Sequence, residues 1–253
     1  MAKRLMYQLL FLFVSCIFYG CNNSSSAEYS DLYVIEPQTL NSAIINYDGY
    51  NVSYNDELLI PNWVSYELIA VETDGQFSRK GKKFVQDPEL SLRQAENDDY
   101  RNSGWSRGHM APAADFKWSE DAMNETFFFT NCCPQDQSLN AGQWSTLEKK
   151  TRDCANKYGR VLVVTGPIIG ENINGTIGAN KVVVPDAFFK ALMTDSQAIA
   201  FVMYNTSTNE NMQKCAMSVD RLEEITGLDF FPEVDDELEN HLESTYTLRY
   251  WGL

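Results

Sequence analysis

The sequence predicts an α+β fold with a mixed or antiparallel sheet at its core. Three observations carry that prediction. Short runs rich in β-branched and aromatic residues dominate the chain, helical periodicity is confined to two segments, and strands and helices do not alternate as a βαβ repeat would require. With no internal repeat, no second long apolar span and no long linker, residues 45–253 are expected to form one domain.

The elements follow in order. Asn62 to Ala70 (NWVSYELIA) alternates polar and apolar side chains and reads as a strand. Arg79 to Pro88 is a basic loop ending at a proline. Gly104 to Met110 predicts a short strand leading into the loop Ala111 to Asp115, and Thr126 to Asn131 (TFFFTN) predicts a buried strand closed by Pro134. Trp144, Leu147, Thr151, Cys154 and Tyr158 fall at i, i+3, i+7, i+10 and i+14, one face of a helix, with Gly159 as its C-cap. Arg160 to Pro167 predicts a buried strand stopped by Gly166-Pro167, and Val182 to Pro185 and Ala198 to Met203 predict two more. Ser218 to Thr226, with Val219, Leu222 and Ile225 spaced by three, is the second helix.

The N-terminus looks like a targeting signal. Lys3 and Arg4 precede a mostly apolar stretch from Leu5 to Tyr19, too short to span a bilayer. Gly20-Cys21 and the polar run Asn22 to Ser26 follow, as at a bacterial lipoprotein cleavage site, although Ile17-Phe18-Tyr19 is bulkier than that pattern favours. The expectation is a signal peptide over residues 1–20, a lipid-linked tether and extension over 21–44 with Cys21 lipidated, and an exported protein anchored at a membrane by lipid alone, in the periplasm or at the cell surface. Ordinary cleavage would give a secreted one.

Loss of Lys3 and Arg4 would take the formal charge from −15 to −17, which disfavours extended contact with a polyanion. The charge is uneven, however. Residues 220–243 hold ten acidic side chains and one arginine, whereas residues 79–117 hold eight Lys or Arg against six Asp or Glu. A small cationic cleft is therefore compatible with the composition. Cys132, Cys133, Cys154 and Cys215 permit three disulfide pairings. Cys132 and Cys133 are adjacent and ill placed to pair with each other, and no C-x₂-C spacing supports zinc.

The chain has two histidines, His109 and His241. His109 lies in Ser106-Arg107-Gly108-His109, and His241 in an acidic tail where a surface role is expected. Phosphodiester hydrolysis needs an activated water, charge stabilisation on phosphoryl oxygens, and help for the departing alkoxide. A neutral imidazole suits the first, a guanidinium the second, and Mg²⁺, with its preference for hard oxygen ligands and retained waters, the third. His109, Arg107 and Asn140 could fill these roles. On a helix beginning near Asn140, Glu148 would be turned by roughly 80° and displaced by roughly 12 Å from it. Such a pair does not share an inner coordination sphere easily, so Asn140 is the candidate direct ligand and Glu148 a candidate carboxylate acting through water.

The blocks Gly104 to Pro112, Thr130 to Gln135, and Leu139-Asn140 through Leu147-Glu148 resemble, in order, those of the DNA/RNA non-specific endonucleases, the ββα-metal or His-Me finger nucleases. The similarity continues through Val163 to Pro167, Val184 to Lys190 and Thr226 to Phe231, covering roughly residues 45–253. The resemblance implies His109 as general base, Asn140 as Mg²⁺ ligand, Glu148 near the metal's waters, Arg107 at the phosphate, and Asn131 as a site-organising amide. It implies a ββα unit made of the two strands and helix above. It also implies cleavage of DNA and RNA at the backbone with little sequence preference, leaving 5′-phosphates; Mn²⁺ or Ca²⁺ could replace Mg²⁺. Two departures stand out. Ser106 occupies a position where the family usually has aspartate. The upstream arginine expected near an Asp-Pro step could be Arg79, or its place could be taken by Lys82 or Lys83 ahead of Asp87-Pro88. Competing expectations are a non-catalytic nucleic-acid-binding lipoprotein and a phosphodiesterase acting on small nucleotides. The acidic run Glu233 to Glu239 lacks EF-hand spacing and is expected to be a solvated face.

Overall fold

The computed structural model describes residues 34–37, 40–170, 174–208 and 211–253; the expected signal segment and Cys21 lie outside them. In chain order the principal elements are β1 (Ala43–Asn46), β2 (Asn51–Asn55), β3 (Ile60–Ile69), β4 (Ser106–His109), β5 (Cys132–Gln135), α1 (Ser145–Tyr158), β6 (Arg160–Ile168), β7 (Ala187–Met193), β8 (Ala198–Tyr204), β9 (Ala216–Met217), α2 (Val219–Thr226) and α3 (Asp236–Glu243). Seven of the strands form one antiparallel sheet in the order β9-β8-β7-β6-β3-β2-β1. The fold is α+β with an antiparallel core.

Both faces of this sheet are covered, so its central strands are apolar almost throughout rather than alternating. Val161, Val163, Phe188, Leu192, Ile199 and Phe201 pack on one face with α1 and the β4–β5 pair, through Leu147, Cys154, Met110 and Cys132. The neighbouring residues Val164, Phe189, Ala191, Met193, Ala198 and Ala200 point the other way, against Val219 and Leu222 of α2 and Leu242 of α3. Successive side chains on a strand point to opposite faces. Hence Phe188, Lys190 and Leu192 of β7 share the face that meets α1.

Several expectations change. Thr126 to Asn131 is not a strand. Phe127 N–H bonds back to Asn124 O at 3.0 Å and Phe128 N–H to Glu125 O at 2.9 Å, Phe128 makes only an isolated bridge to Val85, and Phe129–Asn131 is a 3₁₀ turn. The strand begins at Cys132 and includes Pro134. A proline is tolerated there because β4 and β5 form a two-stranded sheet, so that each is an edge strand. Gly166-Pro167 likewise does not stop β6, which continues to Ile168 with Pro167 opposite Phe188. The strand expected over Val182 to Pro185 is only Val182–Val183. The strands β1, β2 and β7 extend the sheet beyond the runs read as strands, and the acidic tail forms α3 with Leu242 and Glu243 buried. Cys132, Cys133, Cys154 and Cys215 are all buried, and no disulfide joins any two of them. Among the described residues, no helix is long and apolar enough to cross a membrane.

Candidate active site

His109 ends β4 and lies opposite Cys132 of β5. This pairing brings two backbones together beneath the histidine, and Gly108 is what lets them close. A Cβ on Gly108 would stand 2.3 Å from Gln135 Oε1 and 2.7 Å from Gln135 Cβ. After the strand, Met110 N–H donates to Asn131 O at 3.0 Å. The Asn131 amide then fixes the departing chain. Its Oδ1 accepts from Ala111 N at 2.8 Å, and its Nδ2 donates to Ala111 O and Thr126 O, both at 2.9 Å. With all of these bonds made to backbone, the fully buried Asn131 positions the residues around His109.

The imidazole is 8 % exposed and packs between two phenylalanines, with centroids 4.6 Å from Phe84 and 5.0 Å from Phe127, the latter edge-on at 88°. Its Nε2 is enclosed without a hydrogen-bond partner among the described residues. Burial, and secondarily the positive charge of Arg79, lower the His109 pKa from 6.5 to about 3. The ring is therefore neutral across the ordinary working range.

Arg79 reaches the site through the basic loop, which is pinned where Val85 N–H donates to Phe127 O at 3.0 Å and Val85 O accepts from Phe129 N at 3.0 Å. Its guanidinium stands 5.8 Å from the Phe127 ring centroid. Its charge acts on both His109 and Glu148. Lys82 and Lys83 do not share that place. Lys82 Nζ donates to Asn124 Oδ1, and Lys83 lines a groove of about 630 Å³ with Phe84, Asn97, Tyr100 and Arg107. Arg107 is on the same side of β4 as His109, two residues away. It donates from Nη2 to Asn97 O at 2.9 Å and lies 5.0 Å from the Tyr100 ring centroid. Ser106, where an acid was expected by resemblance, turns instead to Gln137, donating to its Oε1.

Asn140 and Glu148 stand on the next element. Asp136 caps the short turn Gln137–Leu139, accepting from Ser138 N at 2.8 Å and Leu139 N at 3.1 Å. Asn140–Trp144 is then a π-helical turn, with Gly142 at φ −105° and ψ −107°, before α1 begins at Ser145. The regular helix assumed from Asn140 onward is thus corrected. α1 itself buries Leu147, Thr151 and Cys154, the face expected from the periodicity, and ends at Gly159 with φ 95°. Glu148 lies half-buried on its flank.

Besides Arg152, one turn along the same helix, two charged residues around Glu148 are not evident from the sequence, Lys190 and Asp115. Lys190 of β7 is 1 % exposed, with Nζ 5.0 Å from the Trp144 ring centroid and no hydrogen-bond partner among the described residues. Asp115, also buried, accepts from Arg152 Nη1 at 2.6 Å and from Tyr66 OH at 2.8 Å. Burial raises the Glu148 pKa, while Lys190, Arg152 and Arg79 oppose the rise and Asp115 adds to it. Burial lowers that of Lys190, opposed by Glu148 and Asp115. The available signals were a lysine inside the otherwise apolar run Ala187–Met193 and an aspartate six residues after His109. Burial also pushes the Cys132 thiol up to about 12 and that of Cys133 well above its ordinary range, so neither is a nucleophile. His241 is exposed in α3, on the other side of the sheet.

A family model for DNA/RNA non-specific endonucleases matches residues 30–237. The chain is 37 % identical over 210 residues to the mitochondrial nuclease EXOG of Danio rerio, across 76 % of this chain and 61 % of that protein. It is 31 % identical over 204 residues to human mitochondrial endonuclease G, across 74 % of this chain and 69 % of that protein. It thus spans about three fifths of the length of this EXOG relative. A crystal structure of an EndoG/EndoGI complex superposes with a TM-score of 0.71 at 28 % identity, covering 77 % of this chain and 88 % of that one. These relatives overturn the expected export and lipid anchoring, because they are mitochondrial nucleases by name. With the matched residues spanning the sheet, the β4–β5 pair and α1, the chain belongs to the DNA/RNA non-specific endonuclease family.

Proposed function

We propose that this chain is a metal-dependent endonuclease that hydrolyses phosphodiester bonds of DNA and RNA, with His109 as general base, releasing 5′-phosphate ends. One observation carries the assignment: a buried imidazole, kept neutral by burial and by Arg79, ends a strand whose supporting bonds are all made by other groups. Because Nε2 is enclosed, the lone pair that takes the proton from water is that of Nδ1, and Nε2 carries the ring proton. Asn131 holds the strand exit, and Arg79 and Arg107 supply fixed positive charge for phosphate. Such contacts to the backbone need no base readout, consistent with little sequence preference.

The donors present suit a hard divalent cation such as Mg²⁺, with Mn²⁺ or Ca²⁺ as substitutes. The Asn140 carboxamide, half-buried at the π turn, makes no hydrogen bond to the described residues and would hold the ion directly, and Glu148 would act through water. Bound there, the ion would neutralise charge developing on the phosphate and leaving oxygen. Plasmid DNA and RNA should be digested by the protein in Mg²⁺ and spared in EDTA, and His109→Ala should lose roughly 10²–10⁴-fold in rate while its circular dichroism is unchanged. Undiminished cleavage by that variant would remove His109 from the role.

A further inference from the structure

The sheet face opposite His109 carries a second concentration of charge. Asp220 in the first turn of α2, Glu223 one turn later and Glu243 at the end of α3 bring carboxylate oxygens that all lie within 4.8 Å of one another. Glu243 is the telling member. It is 4 % exposed, and its Oε1 is buried with no hydrogen-bond partner among the described residues. It also sits at a helix C-terminus, where the backbone dipole disfavours a negative charge. Glu223 accepts from Phe230 N at 2.9 Å. Asp229 and Glu239 add to the same negative field, and Arg221, the one basic side chain between residues 220 and 240, is engaged with Glu224.

A buried carboxylate among other carboxylates needs either a proton or a cation. Burial and the neighbouring acids raise Glu243 to about 9, which measures how poorly the protein alone compensates its charge. We propose that Asp220, Glu223 and Glu243 form a Ca²⁺ site joining α2 to α3, separate from the His109 centre. Ca²⁺ binds oxygen at about 2.3–2.6 Å, so oxygens on opposite sides of one ion stand about 4.6–5.2 Å apart. Carboxylate oxygens that all lie within 4.8 Å of one another are close enough for one ion to reach all three. Asp220 is exposed, so the ion's remaining positions open to water, and several anionic oxygens with few geometric demands favour Ca²⁺ over the stricter octahedron of Mg²⁺. Bridging the two helices would tie α3 to the rest of the domain.

The test uses the full chain carrying Asn140→Ala, which removes the expected direct ligand of the catalytic ion. After chelator treatment, CaCl₂ is added and followed by isothermal titration and by thermal unfolding. The expected result is one Ca²⁺ per chain with a raised Tm. Adding Glu243→Gln or Asp220→Asn should weaken binding by about tenfold or more and abolish the Tm rise. Asp220 is exposed, so Asp220→Asn decides the question if Glu243→Gln does not fold. Absence of Ca²⁺ binding in the Asn140→Ala protein, or undiminished binding in Asp220→Asn, overturns the site.

Discussion

Arg152 Nη1 stands 2.6 Å from Asp115 Oδ1, tying the helix that carries Glu148 to the loop that leaves His109. The Asp115 side chain is fully buried and that of Arg152 only 19 % exposed, so the pair is largely out of water. Breaking a buried pair strands the remaining charge, at about 3–5 kcal/mol. Asp115→Ala should lower unfolding stability by that order in a urea titration, and nuclease activity should fall in the folded fraction as α1 loosens.

The neutral state of His109 should appear in the pH dependence of stability. Folding lowers its pKa from 6.5 to about 3, so below about 6.5 the unfolded chain takes up a proton that the folded chain refuses. This contribution is absent above 6.5 and destabilises increasingly as pH falls towards 3. Relative to wild type, His109→Asn should show a shallower loss of stability on acidification through that window. Parallel curves for the two proteins would contradict the burial effect.

Lys190 tests the Glu148 environment. Its charge opposes the rise in the Glu148 pKa, so Lys190→Met should push that carboxyl higher still. The acid limb of kcat/KM should move to higher pH, and cleavage near neutrality should fall on the order of tenfold, as expected when support behind a metal-site group is removed. An unshifted pH profile would make Lys190 a packing residue.

Gly108→Ala should disturb the site from beneath. The added Cβ would meet Gln135 at 2.3–2.9 Å, a clash that costs about 1–3 kcal/mol in a packed interior. Thermal melts should register that loss, while the rate falls further because His109 is the next residue on the displaced strand.

The periodic and punctuated parts of this molecule were legible in its sequence. α1 showed its buried face through Trp144, Leu147, Thr151 and Cys154, and Gly159 marked its end, because a half-exposed helix leaves a 3.6-residue pattern. β7 leaves no such pattern, being buried on both faces, and passed unread as a strand. TFFFTN has the composition of a strand, yet most of its amides are satisfied by carbonyls a few residues back and only Phe129 N–H reaches a distant one, Val85 O, which composition does not reveal. Within the basic cluster, spacing could not separate Arg79 from Lys82 and Lys83; the Val85 backbone bridge to Phe128 decides which of them faces His109. Of the charges around Glu148, Arg152 is one turn along the same helix, but Asp115 and Lys190 converge from distant segments, so no local motif could group the three.

The π turn between Asn140 and Trp144 carries a consequence for how the two halves of the site are aligned. A regular helix advances each side chain by about 100°, so deleting one residue from the wide turn would swing Asn140 around the axis by roughly that angle relative to Glu148. The bearing between amide and carboxylate is thus set by counting residues, much as a ratchet is set by its teeth. An insertion or deletion of a single small residue here would disable the pair more thoroughly than most substitutions of its neighbours.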